Sequence, residues 1–459
     1  MGCCDCYSWY YVNEWITPFT SRQLLVGVPV GVWETAMTQQ LRRREFLRQS
    51  AGWAGLASIG ATWQHAAAAD DRGRLPVAGV TTVYKRNSHA DVIFGKILEG
   101  FDQQGGPGPG LRLASLYIDQ LPKSGLGREL AKKHNVPIFD TIEGAVTVGG
   151  KGIPVAGVLS VGEHGDYPYT EKTHQHKYPR RRFFDEIAAT YKKHDKVVPL
   201  FNDKHLAWNF KDARHMYDTA TRMKIPFMAG SSVPVAWRQP TLSLPMGCEV
   251  QAAIGIGYGG EEAYGFHALE GMQCMLERRK GGETGVASVQ AVKGDAIWRS
   301  EKDGWWSHDL MESALAVQDG FQRDGWEQRF AKKSTLFLIE YRDGLKAVMA
   351  MANGVTHQFG FAAQLKGEAK PAACVLALEE TQPFGHFGYL VKAIEHMVHT
   401  GKPAYPVERT LLTTGILDRA MHSLADGYKP YETPELEIAY KAVEWPFATG
   451  KVGDVPKTT

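Results

Sequence analysis

The sequence predicts two domains. The first is a doubly wound α/β domain with a parallel sheet; the second is an α+β domain with an open, mostly antiparallel sheet and flanking helices. Three observations carry this. Apolar strand-like runs alternate with helix-period runs from Val77 to Ala229, the pattern of β-α-β units. Beyond Ser232-Val233-Pro234, strand-like runs follow one another with turn residues between them, which favours antiparallel pairing. The chain has 459 residues, more than one ordinary core and suited to two domains of roughly 100–200 residues.

The N-terminal part reads as a leader. Arg42-Arg43-Arg44-Glu45-Phe46-Leu47 precedes an apolar run, Ala51 to Gly60, and then Ala66-Ala67-Ala68-Ala69. This order of charge, apolar block and small-residue cleavage site resembles a twin-arginine export signal over 37–69. Such a signal implies a periplasmic or secreted protein folded before export, with its cofactor inserted first. Residues 1–36 precede the signal, and Met37 is the expected start. A peptide from 1–36 in the native precursor would refute that start. Leu24 to Trp33 is too short and too broken by Gly and Pro to cross a bilayer, which needs about 20 apolar residues.

In the first domain, 70–234, Val77 to Tyr84 is a β-branched strand. Asp91 opens a helix with Ile93, Phe94, Ile97, Leu98 and Phe101 on one face, ended by Gly100 and a Gly/Pro tract. Leu111 to Ile118 is a strand, Gly127 to His134 a helix with Asn135 at its C-terminus, and Val136 to Asp140 a short strand before the N-cap Thr141. Val155 to Val161, Lys196 to Phe201 and Ile225 to Ala229 are further strands; 182–191 and 213–223 are helices. A polar loop, Glu163 to Arg182, covers the cleft or makes a solvated excursion. In the second domain, 235–459, a Gly-rich strand (251–260) and a helix (264–279) precede strands at 285–294, 334–342, 344–351 and 372–378. Helices at 387–400 and 410–425 close the chain.

Formal net charge is +2, with 52 basic and 50 acidic residues intermixed. That balance gives nucleic acid no basic surface, and after signal removal no other segment is apolar enough to span a membrane. Cys3, Cys4 and Cys6 lie before the signal; Cys248, Cys274 and Cys374 are odd in number and far apart, so no disulfide framework is expected. His174 and His176 lack a nearby third ligand for a metal. Trp298, Trp305, Trp306 and Trp326 read as core packing before sugar stacking.

Two stretches, Gly127 to Asp140 and Ile394 to Tyr440 with Thr400-Gly401-Lys402-Pro403, resemble the Gfo/Idh/MocA family of glucose–fructose oxidoreductases and inositol dehydrogenases. The resemblance spans residues 75–440 in pattern. It implies a Rossmann-like dinucleotide-binding domain at 70–234 and a substrate and oligomerisation domain at 235–459, with a homo-oligomer among the expected partners. It implies an exported oxidoreductase acting on a sugar or cyclitol hydroxyl with tightly held NAD or NADP. It places the family's lysine at Lys204, within Leu200-Phe201-Asn202-Asp203-Lys204-His205, where Asp203 replaces a glutamate and His205 a proline. Its histidine falls at His267, with Glu270 one turn on to orient it. For the cofactor it points to Gly79, Lys85, Arg86, Ser88, Asp119, His164 and Asp203. The first turn, Gly79 to Asp91, lacks the family's Gly-x-Gly-x-x-Gly; Val83 and Tyr84 stand where small residues would let a pyrophosphate approach. Two alternatives stay open: a cofactor-free relative that binds a carbohydrate or partner, and a non-redox lyase or glycosidase.

Overall fold

The computed structural model describes residues 73–457, so the expected leader lies outside the described residues. Strands β1 (Leu75–Thr81), β2 (Leu111–Ile118), β3 (Ile138–Phe139), β4 (Gly157–Val161), β5 (Leu200–Asp203) and β6 (Phe227–Gly230) form one sheet in the order β3-β2-β1-β4-β5-β6. All five pairings are parallel. The connecting helices are α1 (His89–Glu99), α2 (Leu126–Lys133), α3 (Ile142–Thr147), α4 (Arg180–Lys193) and α5 (Phe210–Met223). The chain reverses its direction of growth between β1 and β4, and the crevice at that switch point is where ligands of open α/β sheets sit.

Local chemistry sets the helix starts. The Ser88, Thr141 and Asn209 side chains accept the amides of Asp91, Gly144 and Asp212, caps worth about 1 kcal/mol each. Asn135 takes a left-handed φ of 55° just beyond α2, the role expected of it. β5 runs Leu200–Asp203, later than the apolar run suggested, which makes Asp203 the last strand residue.

The second sheet has the order β14-β9-β10-β11-β8-β12-β13-β7. Its strands are β7 (Trp237–Gln239), β8 (Val250–Gly257), β9 (Val286–Lys293), β10 (Thr335–Tyr341), β11 (Lys346–Met351), β12 (Phe359–Leu365), β13 (Ala372–Ala377) and β14 (Tyr431–Glu432). All pairs are antiparallel except β8 with β11. Alternation along β10 serves both faces: Leu336 and Leu338 point to one cluster, Phe337 and Ile339 to the other. One face is covered by α7 (Asp295–Lys302), α8 (His308–Ala316) and α9 (Trp326–Lys333); Trp298, Trp326 and Phe330 of these helices, with Trp306 between α7 and α8, are packed there as core. β12 escaped the sequence because Gly360, Ala362 and Ala363 dilute its β-branched character.

The apolar core does not divide at residue 234. Phe183, Ile187 and Met216 share a cluster with Phe266 and Met272 of α6 (Ala263–Leu276) and with Leu411 and Ile416 of α11 (Val407–Ala425). On the other side of the first sheet, Leu390, Val391 and Ile394 of α10 (Gly385–Thr400) pack with Phe94 and Ile97 of α1. The closing helices thus return to the first sheet and fix α6 beside its strand tips.

Candidate active site

Four strand tips deliver polar side chains to one place. Thr81 and Thr82 leave β1 fully buried, and the Thr82 hydroxyl donates to the carbonyl of Glu163 just past β4. Asp203 ends β5 at 1% exposure, and Lys204 follows at 4% with a left-handed φ of 63°. A non-glycine residue held there stores strain, which tends to collect at functional sites. Here it turns the lysine out of the strand direction while its N–H still donates to Gly230.

The Lys204 ammonium sits 2.6 Å from Oε1 of Glu163. His89, at the start of α1, places Nδ1 2.7 Å from Oδ2 of Asp203 and 3.4 Å from Oε2 of Glu163. Burial alone would depress the His89 imidazole, but the Asp203 and Glu163 carboxylates hold it above its ordinary value. Burial would likewise raise Glu163, yet the cations of His89 and Lys204 keep it well below the usual carboxylate range. These groups therefore stand as two charged couples, Lys204 with Glu163 and His89 with Asp203.

His267 faces them from α6, its ring 5.9 Å from that of His89. Its Nδ1 lies 2.6 Å from the Ser231 hydroxyl, which receives the Val233 N–H. That leaves the Ser231 proton to point at Nδ1 and the other ring nitrogen to carry N–H. Burial, then the positive charge of Lys204 and His89, pushes His267 well below its ordinary value. It is a neutral hydrogen-bond donor toward the centre. His164, partly exposed with φ 64°, closes another side and is depressed by burial to about 4.

Lys204, His267, His164 and Asp203 are therefore brought together as expected, with altered duties. Asp203 orients His89 rather than a cofactor. Glu270 does not orient His267: its carboxylate accepts the Thr413 hydroxyl at 2.7 Å and the Ser231 amide at 3.4 Å. One helical turn puts Glu270 on the side facing α11, and Ser231 takes the orienting role. His89, Glu163 and Ser231 were not singled out from the sequence. The only signal for Glu163 was an acid directly after an apolar strand, which many surface turns share.

The dinucleotide expected from the family would lie over the β1–α1 turn, and the residues there do not form its usual cradle. Gly79 lies inside the sheet, where a Cβ would meet Leu116 at 2.7 Å; it serves strand–helix packing. Tyr84 is buried against Phe94 and beneath Gly127 of α2. The start of α1 is already served by the chain: Ser88 caps it, and the Asp91 carboxylate accepts the Asn87 amide at 2.8 Å, placing a negative charge where a phosphate would go. Lys85 and Arg86 are exposed, and Arg86 borders an acid-rich cleft with Asp91, Glu99 and Glu129. Asp119 accepts from Tyr117, Tyr167 and Arg182 at 2.5, 2.7 and 2.6 Å. The cofactor assignments of Gly79, Ser88 and Asp119 are thus corrected: each is engaged in the chain's own structure.

The loop after β4 supplies Tyr167 and is stitched down along its length. Gln120 pairs with the Asp166 backbone in both directions at 2.8 Å. The Gln175 amide reaches Asp418, and the His176 N–H donates to the Glu262 carboxylate at 2.9 and 3.0 Å. The His176 ring is sandwiched between Tyr169 and Tyr178 while His174 is exposed. A cleft of about 480 Å³ is lined by Tyr258, His357 and Phe359, and the Phe359 ring lies 6.3 Å from that of His267.

No family model and no curated protein matches this sequence. Solved structures do follow its chain path. The GenD2 protein of gentamicin A biosynthesis, in complex with NAD, is 14% identical over 78% of this chain and 96% of its own, with a TM-score of 0.48. Myo-inositol 2-dehydrogenase from Lactobacillus plantarum is 10% identical over 78% and 99%, with a TM-score of 0.47. Scyllo-inositol dehydrogenase from Lactobacillus casei, with NAD(H) and scyllo-inositol bound, is 9% identical over 78% and 98%, with a TM-score of 0.45. At these identities the likeness is one of architecture, and function has to be argued from the site.

Proposed function

We propose that the chain is an enzyme of the oxidoreductase class associated with this fold, acting on a hydroxyl-bearing carbon of a sugar or cyclitol. The observation that carries the reading is the buried Lys204–Glu163 pair opposite the neutral His267. Transfer of one ammonium proton from Lys204 to the Glu163 carboxylate would free the amine to take the proton of a substrate hydroxyl placed between the pair and His267. The His267 N–H would hydrogen-bond to the same oxygen as its charge changes, and Ser231 would keep that ring in the donor tautomer. His89, held by Asp203, would pass the proton toward solvent through its partly exposed edge. Nicotinamide would supply the hydride acceptor in the redox version, although the β1–α1 turn does not offer its usual cradle.

That same turn favours a second reading, non-redox chemistry in which Lys204, having passed a proton to Glu163, takes one from carbon beside a carbonyl, as in elimination or epimerisation. One experiment separates them. Protein folded in its native host is assayed for released NAD(P) and for turnover of a polyol and sugar panel, by dinucleotide absorbance and by product mass. Bound dinucleotide with alcohol oxidation supports the first reading, and product of unchanged oxidation state without dinucleotide supports the second. No turnover of any polyol or sugar by wild type overturns both.

A further inference from the structure

The outer edge of the site gathers ligand atoms from three separate elements. His89 Nδ1, one Glu163 oxygen and one Asp203 oxygen all lie within 4.8 Å of one another. They come from the start of α1, the exit of β4 and the end of β5, so the sheet itself holds them in convergence. Glu163 is 8% exposed, and its Oε1 is taken by Lys204. Its Oε2 is buried and accepts no hydrogen bond. His89 Nδ1 stands 3.4 Å from that oxygen but directs its hydrogen bond to Asp203 at 2.7 Å. A buried acceptor left without a donor costs about 1–3 kcal/mol. This one is aimed at two further ligand atoms, an arrangement that calls for a cation.

We propose that His89, Glu163 and Asp203 hold a divalent cation of the manganese-to-zinc range. Two carboxylates against one ammonium leave the cluster with a net negative charge when His89 is neutral. One imidazole with two carboxylate oxygens suits Mn²⁺ or Zn²⁺ better than Mg²⁺ or Ca²⁺, which prefer oxygen alone. Ligand bonds of about 2.0–2.2 Å fit the cluster if His89 and Asp203 part by a few tenths of an ångström. Lys204 would then fix the orientation of Glu163 from behind, as partners of metal-bound carboxylates commonly do. Three protein ligands leave a position open toward His267 and His164, where a substrate oxygen could bind. The inference rests on the site proposed above and takes His89 out of proton transfer when the ion is bound; its test reads metal binding and not turnover, so either can fail alone.

The full chain, stripped with a chelator, is titrated with Mn²⁺ or Zn²⁺ alone by calorimetry and thermal shift. One ion per chain and a rise in Tm are expected, with affinity lowered at least tenfold in Asp203→Asn and in His89→Ala. Should those variants fail to fold, pulsed EPR of Mn²⁺ on the wild type is decisive: coupling to one imidazole nitrogen is expected. Absence of binding at millimolar metal, or bound Mn²⁺ with water and carboxylate oxygen ligands alone, overturns the proposal.

Discussion

Glu262 offers a sharp test of how the loop after β4 is held over the site. Its carboxylate accepts the His176 amide from a partly buried position just before α6. Burial raises it from 4.5 to about 7, against the weaker opposing effects of that hydrogen bond and of Arg180. The folded state therefore binds a proton that the unfolded chain releases between pH about 4.5 and 7. Stability contributed by this group is present below about 4.5 and is lost as pH rises toward 7. At 1.36 kcal/mol per pKa unit the ceiling is about 3 kcal/mol, and partial exposure reduces it to ~1–2 kcal/mol. Glu262→Gln keeps a carbonyl acceptor for His176 and removes the titration. Its urea-unfolding free energy, compared with wild type at pH 5 and pH 7.5, should gain ~1–2 kcal/mol relative to wild type at the higher pH. His164 and His386, depressed by burial to about 4 and about 3, titrate alike in both proteins and drop out of the difference. Parallel stability–pH curves for the two proteins would refute the reasoning.

Other consequences can be checked as directly. Lys204→Met should lower turnover of any accepted substrate by about 10²–10⁴-fold with the circular dichroism spectrum unchanged; retained turnover would remove the lysine from its role. Ser231→Ala frees the His267 ring to change tautomer, so kcat should fall more than KM rises and the pH profile should shift; an unchanged profile would leave Ser231 a packing residue. Arg409→Met strands Glu277, which is 2% exposed and held by two guanidinium bonds at 2.5 and 2.8 Å. A loss of about 3–5 kcal/mol is expected by denaturant titration, and a loss under 1 kcal/mol would contradict the burial argument. Tyr167→Phe removes one of three donors from Asp119, and faster amide exchange over 164–178 should follow; unchanged exchange would mean that the Tyr167 contact does not pin the loop.

Much of the first sheet was legible because its strands are short apolar runs between amphipathic helices, one of them with a recognisable cap, Thr141. Lys204 was legible through the family register, and the structure sets it at a strand tip. What the sequence hid depends on long-range convergence. His89 and Glu163 are 74 residues apart in number and meet only because β1 and β4 are neighbours in the sheet. Glu270 misled because helical spacing fixes a face but not which neighbour that face meets; here it meets Thr413 of α11. Asp119 misled for a similar reason. An acid at the end of β2 looks ready for a ribose, and only the fold shows Tyr117, Tyr167 and Arg182 already on it.

The central claim is that substrate oxygen binds between Lys204 and His267 at the strand tips. The most direct measurement is a crystal structure of the protein with a polyol that it turns over or that raises its Tm. The account predicts one hydroxyl within about 3 Å of both Lys204 Nζ and the outward His267 ring nitrogen. A ligand seated instead in the cleft of Tyr258 and His357, with Lys204 still paired to Glu163, would contradict it.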